Sequence, residues 1–308
     1  MKNSRLTLCI LGLLLLFAVA ATAADTPALK FKFASANVPG ATSTEPSGLT
    51  DEGHLSAGRY VDSAGIQHGY FLKLRVAPHQ PPGNGLITLD DPNGKPGTTA
   101  VSKVTRAFSA VGSYTSSTTG NSVGFLYTGG GQNKYTDIPG PSGAVNTWGS
   151  GINDKGAIVG YYTDSAGARH GFLLQGTKYT TLDVPGAAAT YATDINKSGK
   201  IVLFWANSRG AIKSSLYNGK TYKTINVPGA ASSYALGLNN AGDVCYGWLD
   251  SSGVVHGALL HRGTYYKFDH PNSTATYGGG IDDSRHIIGG YQTASGGTNW
   301  FGFKATYK

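Results

Sequence analysis

The stretch GYYTDSAGARHGFLL, residues 160–174, places Asp164, Gly167 and His170 within seven positions of one another. A carboxylate beside an imidazole can orient a general base, and imidazole is also a common zinc ligand. Two further copies of this stretch contain a histidine at the same place. The candidates for a shared zinc site are therefore His68, His170 and His256.

A second element, for which DINKSGK (194–200) is an example, combines acids, amides and a glycine as calcium loops do. A calcium loop needs alternating oxygen ligands and a closing glutamate. Here Lys197 or Ala241 stands in the middle and no glutamate follows, so an Asx turn is the interpretation we favour. A carboxylate pair such as Asp51 and Asp282 could still converge at one mouth of a closed fold, because spacing alone does not exclude it.

Nucleophilic catalysis and phosphate binding have little support in the sequence. There is no G-x-S-x-G elbow, and Cys245 has no histidine close to it. Cys245 lies in the apolar run GDVCYGW, where we expect a small buried hydrophobic residue. The glycines fall at hairpin turns and not between a strand and a helix, so no phosphate-binding loop is indicated. We predict no cofactor, no metal and no catalytic residue.

These residues belong to a unit that is repeated six times along the chain. One element of the unit, TLDVPGAAAT (181–190) in one copy, contains the prolines Pro39, Pro92, Pro139, Pro185, Pro228 and Pro271. The hairpin element contains the turn glycines Gly65, Gly120, Gly167, Gly210, Gly253 and Gly296. The last three steps between these glycines are each 43 residues, which indicates duplication. We expect the repeats to start near residues 31, 84, 132, 178, 221 and 264.

Each repeat of about 43–55 residues offers four short strands, near 134–138, 146–152, 157–163 and 169–174 in the third copy. Six such units predict an all-β fold, a six-bladed β-propeller, because radial closure hides most strand edges. A solenoid is the alternative, but it needs atypical capping copies that the sequence lacks. The segment 31–38 would then complete the last blade beside residues 300–305.

The hairpin itself is explained by turn chemistry. A short polar residue stands three positions before each glycine, as the first position of a type I turn prefers: Asp62, Ser117, Asp164, Asn207, Asp250 and Thr293. Counting outward from the turn predicts the cross-strand pairs Tyr60 with His68, Thr115 with Val123, Tyr162 with His170, Trp205 with Lys213, Trp248 with His256 and Tyr291 with Asn299. Zinc needs each ligand nitrogen at about 2.1 Å. Hairpins far from the propeller axis would keep the three histidines apart, so we expect no shared site.

Residues 1–24 are typical of a secretory signal peptide, with cations at Lys2 and Arg5, an apolar run and small residues before the cleavage point. We predict cleavage after Ala23 or Ala24 and a single propeller domain over residues 25–308, with no transmembrane segment. The formal net charge is +8, to which Lys2 and Arg5 contribute two. The remaining cations are scattered, so nucleic acid is not an expected partner.

The repeat resembles the extracellular HAF-repeat proteins of bacteria. Their unit runs through A-x-G-I-N-x-x-G, an apolar V-V-G strand and a hairpin ending in H-A-F. The matching stretches are Gly151–Asn153, Gly156, Ile158–Gly160 and His170–Phe172. The alanine of H-A-F is glycine here in all three histidine copies. The resemblance implies an exported repeat β-protein and transfers no functional residue.

We expect a secreted or periplasmic, monomeric, non-enzymatic module that binds a glycan or a surface protein, with exposed aromatic rings suited to sugar stacking. The first alternative is a glycoside hydrolase or lyase that uses the central funnel. That alternative predicts convergent carboxylates in non-repeated positions at one mouth. The second alternative is a purely structural surface protein.

Overall fold

The computed structural model describes residues 29–74 and 85–308. Within these ranges the chain forms 24 β-strands, two 3-10 segments (Asp51–Gly53 and Ala294–Gly296) and no α-helix. The strands are short because a glycine or an Asx turn interrupts each apolar run. The predicted signal peptide, residues 1–24, lies outside the described residues. No helical segment in the described part of the chain has the length and apolar character of a membrane span.

The strands form six groups of four antiparallel strands, the blades of the predicted β-propeller, and one parallel pair, Arg169 opposite Ala189, joins blades three and four into an eight-stranded sheet. Blade one contains β2 (Ser43–Leu49), β3 (Leu55–Val61), β4 (Gln67–Lys73) and β5 (Leu86–Leu89). Blade two contains β6 (Ala100–Val104), β7 (Ser109–Thr115), β8 (Ser122–Thr128) and β9 (Lys134–Ile138). Blade three contains β10 (Asn146–Ile152), β11 (Ile158–Thr163), β12 (Arg169–Gln175) and β13 (Lys178–Leu182).

The other three blades follow the same order from the axis outward. Blade four contains β14 (Ala189–Ile195), β15 (Ile201–Ala206), β16 (Ile212–Tyr217) and β17 (Tyr222–Thr224). Blade five contains β18 (Ser232–Leu238), β19 (Val244–Leu249), β20 (Val255–His261) and β21 (Thr264–Phe268). Blade six contains β22 (Ala275–Ile281), β23 (His286–Gln292), β24 (Phe301–Tyr307) and β1 (Phe31–Ser35).

Blade six closes the ring with strands from both ends of the described chain. The first strand, β1, pairs antiparallel with β24, from Phe31 opposite Tyr307 to Ser35 opposite Phe303. The Phe31 ring lies 4.7 Å from the ring of Phe268 in blade five, which ties the closing strand to the neighbouring blade. The predicted pairing of segment 31–38 with the last strand is confirmed. The first strand of each later sequence repeat likewise forms the outer strand of the preceding blade.

The core lies between neighbouring blades, where the faces of adjacent sheets pack together. The side chains of Phe125, Phe172 and Phe303 are fully buried in these layers. They follow a glycine at one position of the third strand, so their spacing repeats with the blades. Burying a phenylalanine stabilises the fold by about 1.5–3 kcal/mol. The core therefore follows from the repeat.

A chain of hydrogen bonds, the asparagine belt, links the loops that leave the innermost strands of blades three to six. Each amide nitrogen donates to the main-chain oxygen 43 residues ahead: Asn153 to Asn196 at 3.0 Å, Asn196 to Asn239 at 3.1 Å and Asn239 to Asp282 at 3.0 Å. The side-chain oxygen of each asparagine accepts N–H groups of its own loop. Asn196, for example, accepts from Ser198 and Lys200. These loops are Asx turns, as predicted.

Candidate functional site

The hairpin of residues 160–174 has the predicted turn. Asp164 Oδ1 accepts the N–H groups of Ala166 and Ala168, both at 2.9 Å. Gly167 adopts φ 81°, a left-handed conformation that glycine takes without strain. Tyr162 lies opposite His170, and the pairs of Tyr60 with His68, Trp248 with His256 and Trp205 with Lys213 are confirmed as well.

Two of the six predicted pairs are wrong by small shifts of register. In blade two, Thr115 lies opposite Ser122 and not Val123, because the loop is one residue longer. There Ser116, and not Ser117, accepts the turn N–H groups of Thr118 and Thr119.

In blade six, Tyr291 lies opposite Phe301 and not Asn299, because a 3-10 segment lengthens the hairpin by two residues. The left-handed glycine there is Gly297, with φ 61°, and not Gly296. A single insertion inside a hairpin shifts every pair beyond it, and the spacing of polar residues does not reveal the insertion.

Each of the three histidines lies between two carboxylates, and we call these groups the Asp–His–Asp triads. In blade three, His170 Nδ1 lies 2.8 Å from Asp183 Oδ2 and Nε2 lies 3.5 Å from Asp164 Oδ2. The imidazole stacks on the Tyr162 ring at 5.1 Å. Turn chemistry and the tyrosine alone were therefore an incomplete explanation of His170.

The other two triads repeat this arrangement within their own blades. Blade one contains Asp62, His68 and Asp90, with nitrogen-to-oxygen distances of 3.4 and 2.8 Å. Blade five contains Asp250, His256 and Asp269, with distances of 3.4 and 3.0 Å.

Each triad holds its imidazole by hydrogen bonds to carboxylates. Burial lowers the pKa of His170, but the hydrogen bond to Asp183 and its charge outweigh this, so the pKa lies above its ordinary value. Hydrogen bonds, first from the Ala168 N–H, lower the pKa of Asp164. Both imidazole nitrogens face carboxylates of one blade. Within residues 29–74 and 85–308, no cluster of His, Cys, Asp or Glu has metal-binding geometry.

The second carboxylate of each triad was missed at the sequence level, although a signal was present. Asp90, Asp183 and Asp269 each stand two residues before the proline of the repeat, in the three copies that contain the histidine. In the blade-four and blade-six copies this position is Asn226 or Asn37, and in blade two, which lacks the histidine, it is Asp137. The pairing links two elements about 13–22 residues apart, and a hairpin analysis does not compare them.

Of the carboxylate pair considered from spacing, the structure describes the side chain of Asp282. Its Oδ1 accepts the N–H groups of Ser284 and His286, and its Oδ2 lies 2.7 Å from His286 Nδ1. Burial raises the pKa of Asp282. Asp282 therefore caps its own turn, while the side chain of Asp51 lies outside the described side chains. Cys245 is fully buried, as predicted, and burial raises the pKa of its thiol to about 12.

The axial channel is lined by three rings of side chains from the six innermost strands. Each of these strands has a register shift, at which one residue bulges towards the axis. The bulge ring consists of Ser47, Ser102, Ser150, Thr193, Leu236 and Gly279. Residues two apart on a strand face the same side. The girdle ring, two positions earlier, consists of Glu45, Ala100, Trp148, Tyr191, Tyr234 and Tyr277.

The bulge ring and part of the girdle ring line the axial funnel, a cavity of about 350 Å³. All six residues of the bulge ring line it, together with Glu45, Ala100 and Tyr277 of the girdle. The carboxylate of Glu45 accepts a hydrogen bond at 2.6 Å from Arg59, the residue opposite it on β3. The funnel thus has a charged pair on the side of blade one.

A ladder of aromatic rings connects blades three, four and five. Trp148 stacks on Tyr161 at 4.7 Å, and Tyr191 stacks on Phe204 at 4.6 Å. Edge contacts at 5.0 and 5.2 Å continue this ladder from Tyr161 to Tyr191 and from Phe204 to Tyr234. These rings are half-buried and hold one another in fixed orientations. Of the aromatic girdle residues, Tyr277 of blade six lines the funnel itself.

The floor of the funnel is closed by the third ring and by an ion pair across the axis. The aliphatic ring consists of Leu49, Val104, Ile152, Ile195, Leu238 and Ile281, all buried. Lys103 of blade two donates to Asp194 of blade four at 2.8 Å, and Asp194 also accepts the Leu238 N–H. The side chain of Asp194 is 2% exposed.

Glycine makes room for this ion pair. The position after the bulge is glycine in four blades and Lys103 or Asp194 in the other two. A Cβ on Gly48 would lie 2.9 Å from the Cα of Lys103, and one on Gly151 would lie 2.8 Å from the Cα of Asp194. At the position after the bulge, the side chains of blades two and four therefore require glycine in the neighbouring blades one and three.

A scan against protein-family models finds no match, and a search of curated proteins finds no significant similarity. Among solved structures the chain is similar to AofleA from Arthrobotrys oligospora, with a TM-score of 0.56 and 10% identity over 91% of this chain and 88% of that one. It is similar to a putative TolB from Agrobacterium tumefaciens, with a TM-score of 0.55 and 11% identity over 91% and 99%. A fucose-specific lectin from Aleuria aurantia gives a TM-score of 0.50 and 14% identity over 85% and 94%. At these identities the likeness establishes a β-propeller fold alone.

Proposed function

We propose that this propeller is an exported, non-enzymatic module of the HAF-repeat class and that its axial funnel binds a glycan. The observation on which this rests is the funnel lining, where the Tyr277 ring and the ion pair of Glu45 and Arg59 stand beside the hydroxyl groups of the bulge ring. Sugars present apolar C–H faces and hydroxyl edges. Aromatic rings pack against the faces, and charged groups form strong hydrogen bonds with the hydroxyls.

The size and the polarity of the funnel fit this ligand class. Its volume of about 350 Å³ lies at the lower end of small-ligand pockets, which suits one or two sugar residues better than a protein segment. Four of the six bulge residues carry hydroxyl groups. Ser47 and Thr193 direct theirs to main-chain oxygens of the next blade, at 2.8 Å in both cases. These bonds fix the wall in place, so a ligand would meet a preformed pocket.

Glycoside hydrolysis in the same pocket is the second candidate function, and it has less support. Glycoside hydrolysis normally uses two carboxyl groups about 5–9.5 Å apart. Among the described residues that line the funnel, Glu45 is the single carboxylate, and it is paired with Arg59. The fucose-specific lectin from Aleuria aurantia has a similar fold, so sugar binding is compatible with this architecture. The similarity does not identify the ligand of this chain.

A glycan array with residues 25–308 tests the proposal, followed by calorimetric titration of the best oligosaccharide. Glu45→Gln should weaken binding at least about tenfold, because a hydrogen bond to a charged group contributes about 1.5–3 kcal/mol. The matched control is Glu52→Gln in the same blade, since Glu52 is also paired with an arginine, Arg106 at 3.3 Å, but lies outside the funnel. Equal losses in both variants would contradict the funnel as the site. Release of cleaved product would favour the hydrolase.

Export through residues 1–24 is part of the proposal and has its own test. The full-length chain, expressed in a bacterium with a general secretory pathway, should be recovered outside the cytoplasm. N-terminal sequencing should then begin at Ala24 or Asp25. An intact Met1 on the recovered protein would contradict this part of the proposal.

A further inference from the structure

A second cavity, the basic cleft, lies between blades four and five at the opposite end of the innermost strands from the funnel. Its volume is about 510 Å³. Its ionisable lining residues are Lys200, Lys223, Arg262, Arg285 and His261, together with the acids Asp243 and Asp283. The cleft opens where β18 leads into β19 and beside the turn from β20 to β21.

The cations of the cleft are not neutralised by the protein. Lys200, Lys223, Arg262 and Arg285 are exposed, and none has a salt bridge or a side-chain hydrogen bond within residues 29–74 and 85–308. Of the two acids at the cleft, Asp283 already accepts two hydrogen bonds from Asn240, both at 2.7 Å. Four unpaired positive charges around one cavity favour an anionic ligand.

Both arginines stand at backbone positions that suit glycine. Arg285 has φ 67°, and sister repeats have glycine at this turn position, as in Gly156 and Gly199 with φ 76° and 82°. Arg262 has φ 50° at the first position of the turn between β20 and β21, where the blade-three counterpart is Gly176. A non-glycine residue in the left-handed region costs about 1 kcal/mol or more. Two such arginines beside one cavity point to a role for their guanidinium groups.

A buried polar group forms the floor of the cleft and breaks the repeat. Asp243 Oδ2 accepts from His261 Nδ1 at 2.9 Å and from the Tyr307 hydroxyl at 3.1 Å. The side chain of His261 is 15% exposed, and its Nε2 has no hydrogen-bond partner in the described chain. The counterparts of Asp243 in blades three and four are Ala157 and Lys200. Duplication therefore does not explain this group.

We propose that the basic cleft binds the acid groups of an anionic polysaccharide. Guanidinium groups hold carboxylate or sulfate oxygens in a bidentate way, and His261 fixed by Asp243 can donate a further bond from Nε2 when it is protonated. The volume accommodates one or two acidic sugar residues. The site is separate from the funnel and shares only the ligand class with the function proposed above.

The decisive variant is Arg262→Gly/Arg285→Gly. Glycine relieves the strain at both positions, so this variant should unfold at the same temperature as the wild type or a higher one. Its affinity for trigalacturonate should fall at least tenfold. The control Lys134→Gln/Arg209→Gln removes the same charge outside the cleft and should change affinity less than twofold. Equal losses in both would overturn the proposal, because they would indicate unspecific attraction.

Two test ligands distinguish whether the cleft binds a carboxylate or a sulfate ester. Binding of trigalacturonate alone assigns a carboxylate, and binding of sulfated dextran oligomers alone assigns a sulfate ester. Binding of neither overturns the proposal, as does tighter binding of a thymidine oligonucleotide that the double variant loses. Glu45→Gln is measured in parallel and should leave cleft binding unchanged. A funnel that binds no sugar would therefore not be mistaken for a failure of the cleft.

Discussion

Blades three to six and blades one and two solve the same packing problem with different residues. In the first group the asparagine belt connects each loop to the next with one hydrogen bond at the same position. In the second group that position is Thr50 or Thr105. Each threonine hydroxyl accepts only an N–H of its own loop, from Leu55 at 3.1 Å and from Ser109 at 3.3 Å. The belt therefore does not continue through blades one and two.

This difference separates residues that duplication explains from residues that need another explanation. The triads, the turns and the belt recur with the repeat and are accounted for by stability. The ion pair of Glu45 with Arg59 and the side chain of Lys103 come from the two irregular blades. In a repeat protein, departures from the repeat that gather around one cavity are the better candidates for function.

The largest expected effect comes from the ion pair that joins the two groups of blades. Lys103→Met leaves the carboxylate of Asp194 buried without its counter-ion and should lower the free energy of unfolding by about 3–5 kcal/mol. Lys103→Met/Asp194→Ala removes both partners, so it should be more stable than the single variant. Urea denaturation measures both. A double variant less stable than the single one would show that the pair does not close the floor as described.

The second-largest loss in the free energy of unfolding is expected for variants of the asparagine belt. Asn196→Ala removes the bond to the Asn239 carbonyl and the cap of its own loop, and should cost about 2–3 kcal/mol. Asn196→Thr introduces the residue type of blades one and two and keeps the possibility of a cap. It should cost about half as much. In Thr105→Ala only a local cap is lost, so about 1 kcal/mol is expected. Similar losses for Asn196→Ala and Thr105→Ala in urea denaturation would remove the distinction between the two groups.

The sequence was sufficient to predict the features that lie within a single repeat. The six prolines, the turn residue Asp164 and the alternation around Tyr162 predicted the blades, the turn and four of six cross-strand pairs. Closure by β1 followed from counting strands. The funnel was not predictable in the same way, because Glu45 and Ser150 are 105 positions apart and line the same cavity only when the ring closes. Local spacing contains no information about a distance across the axis.

The smallest expected effect distinguishes the blades that contain a triad from blade four, where Lys213 replaces the histidine. Because the folded pKa of His170 is raised, its stabilisation is complete below the unfolded value of about 6.5 and is lost as the pH rises through the folded value. Because the pKa of Asp164 is lowered, the stabilisation from this carboxylate is present above about pH 3.8 and is lost at more acidic pH. The triads of His68 and His170 therefore contribute most between about pH 4 and 6.5.

The double variant His68→Asn/His170→Asn should lower the free energy of unfolding at pH 5.5 by about 1–2 kcal/mol, as expected for two partly exposed ion-paired groups, and by less at pH 8.5. Lys213→Asn is the matched control, since lysine stays charged over this range and its effect should be the same at both values. Urea denaturation at the two pH values measures the difference. If the histidine variant loses as much at pH 8.5 as at 5.5, stacking on the aromatic residue stabilises these hairpins and the charge does not.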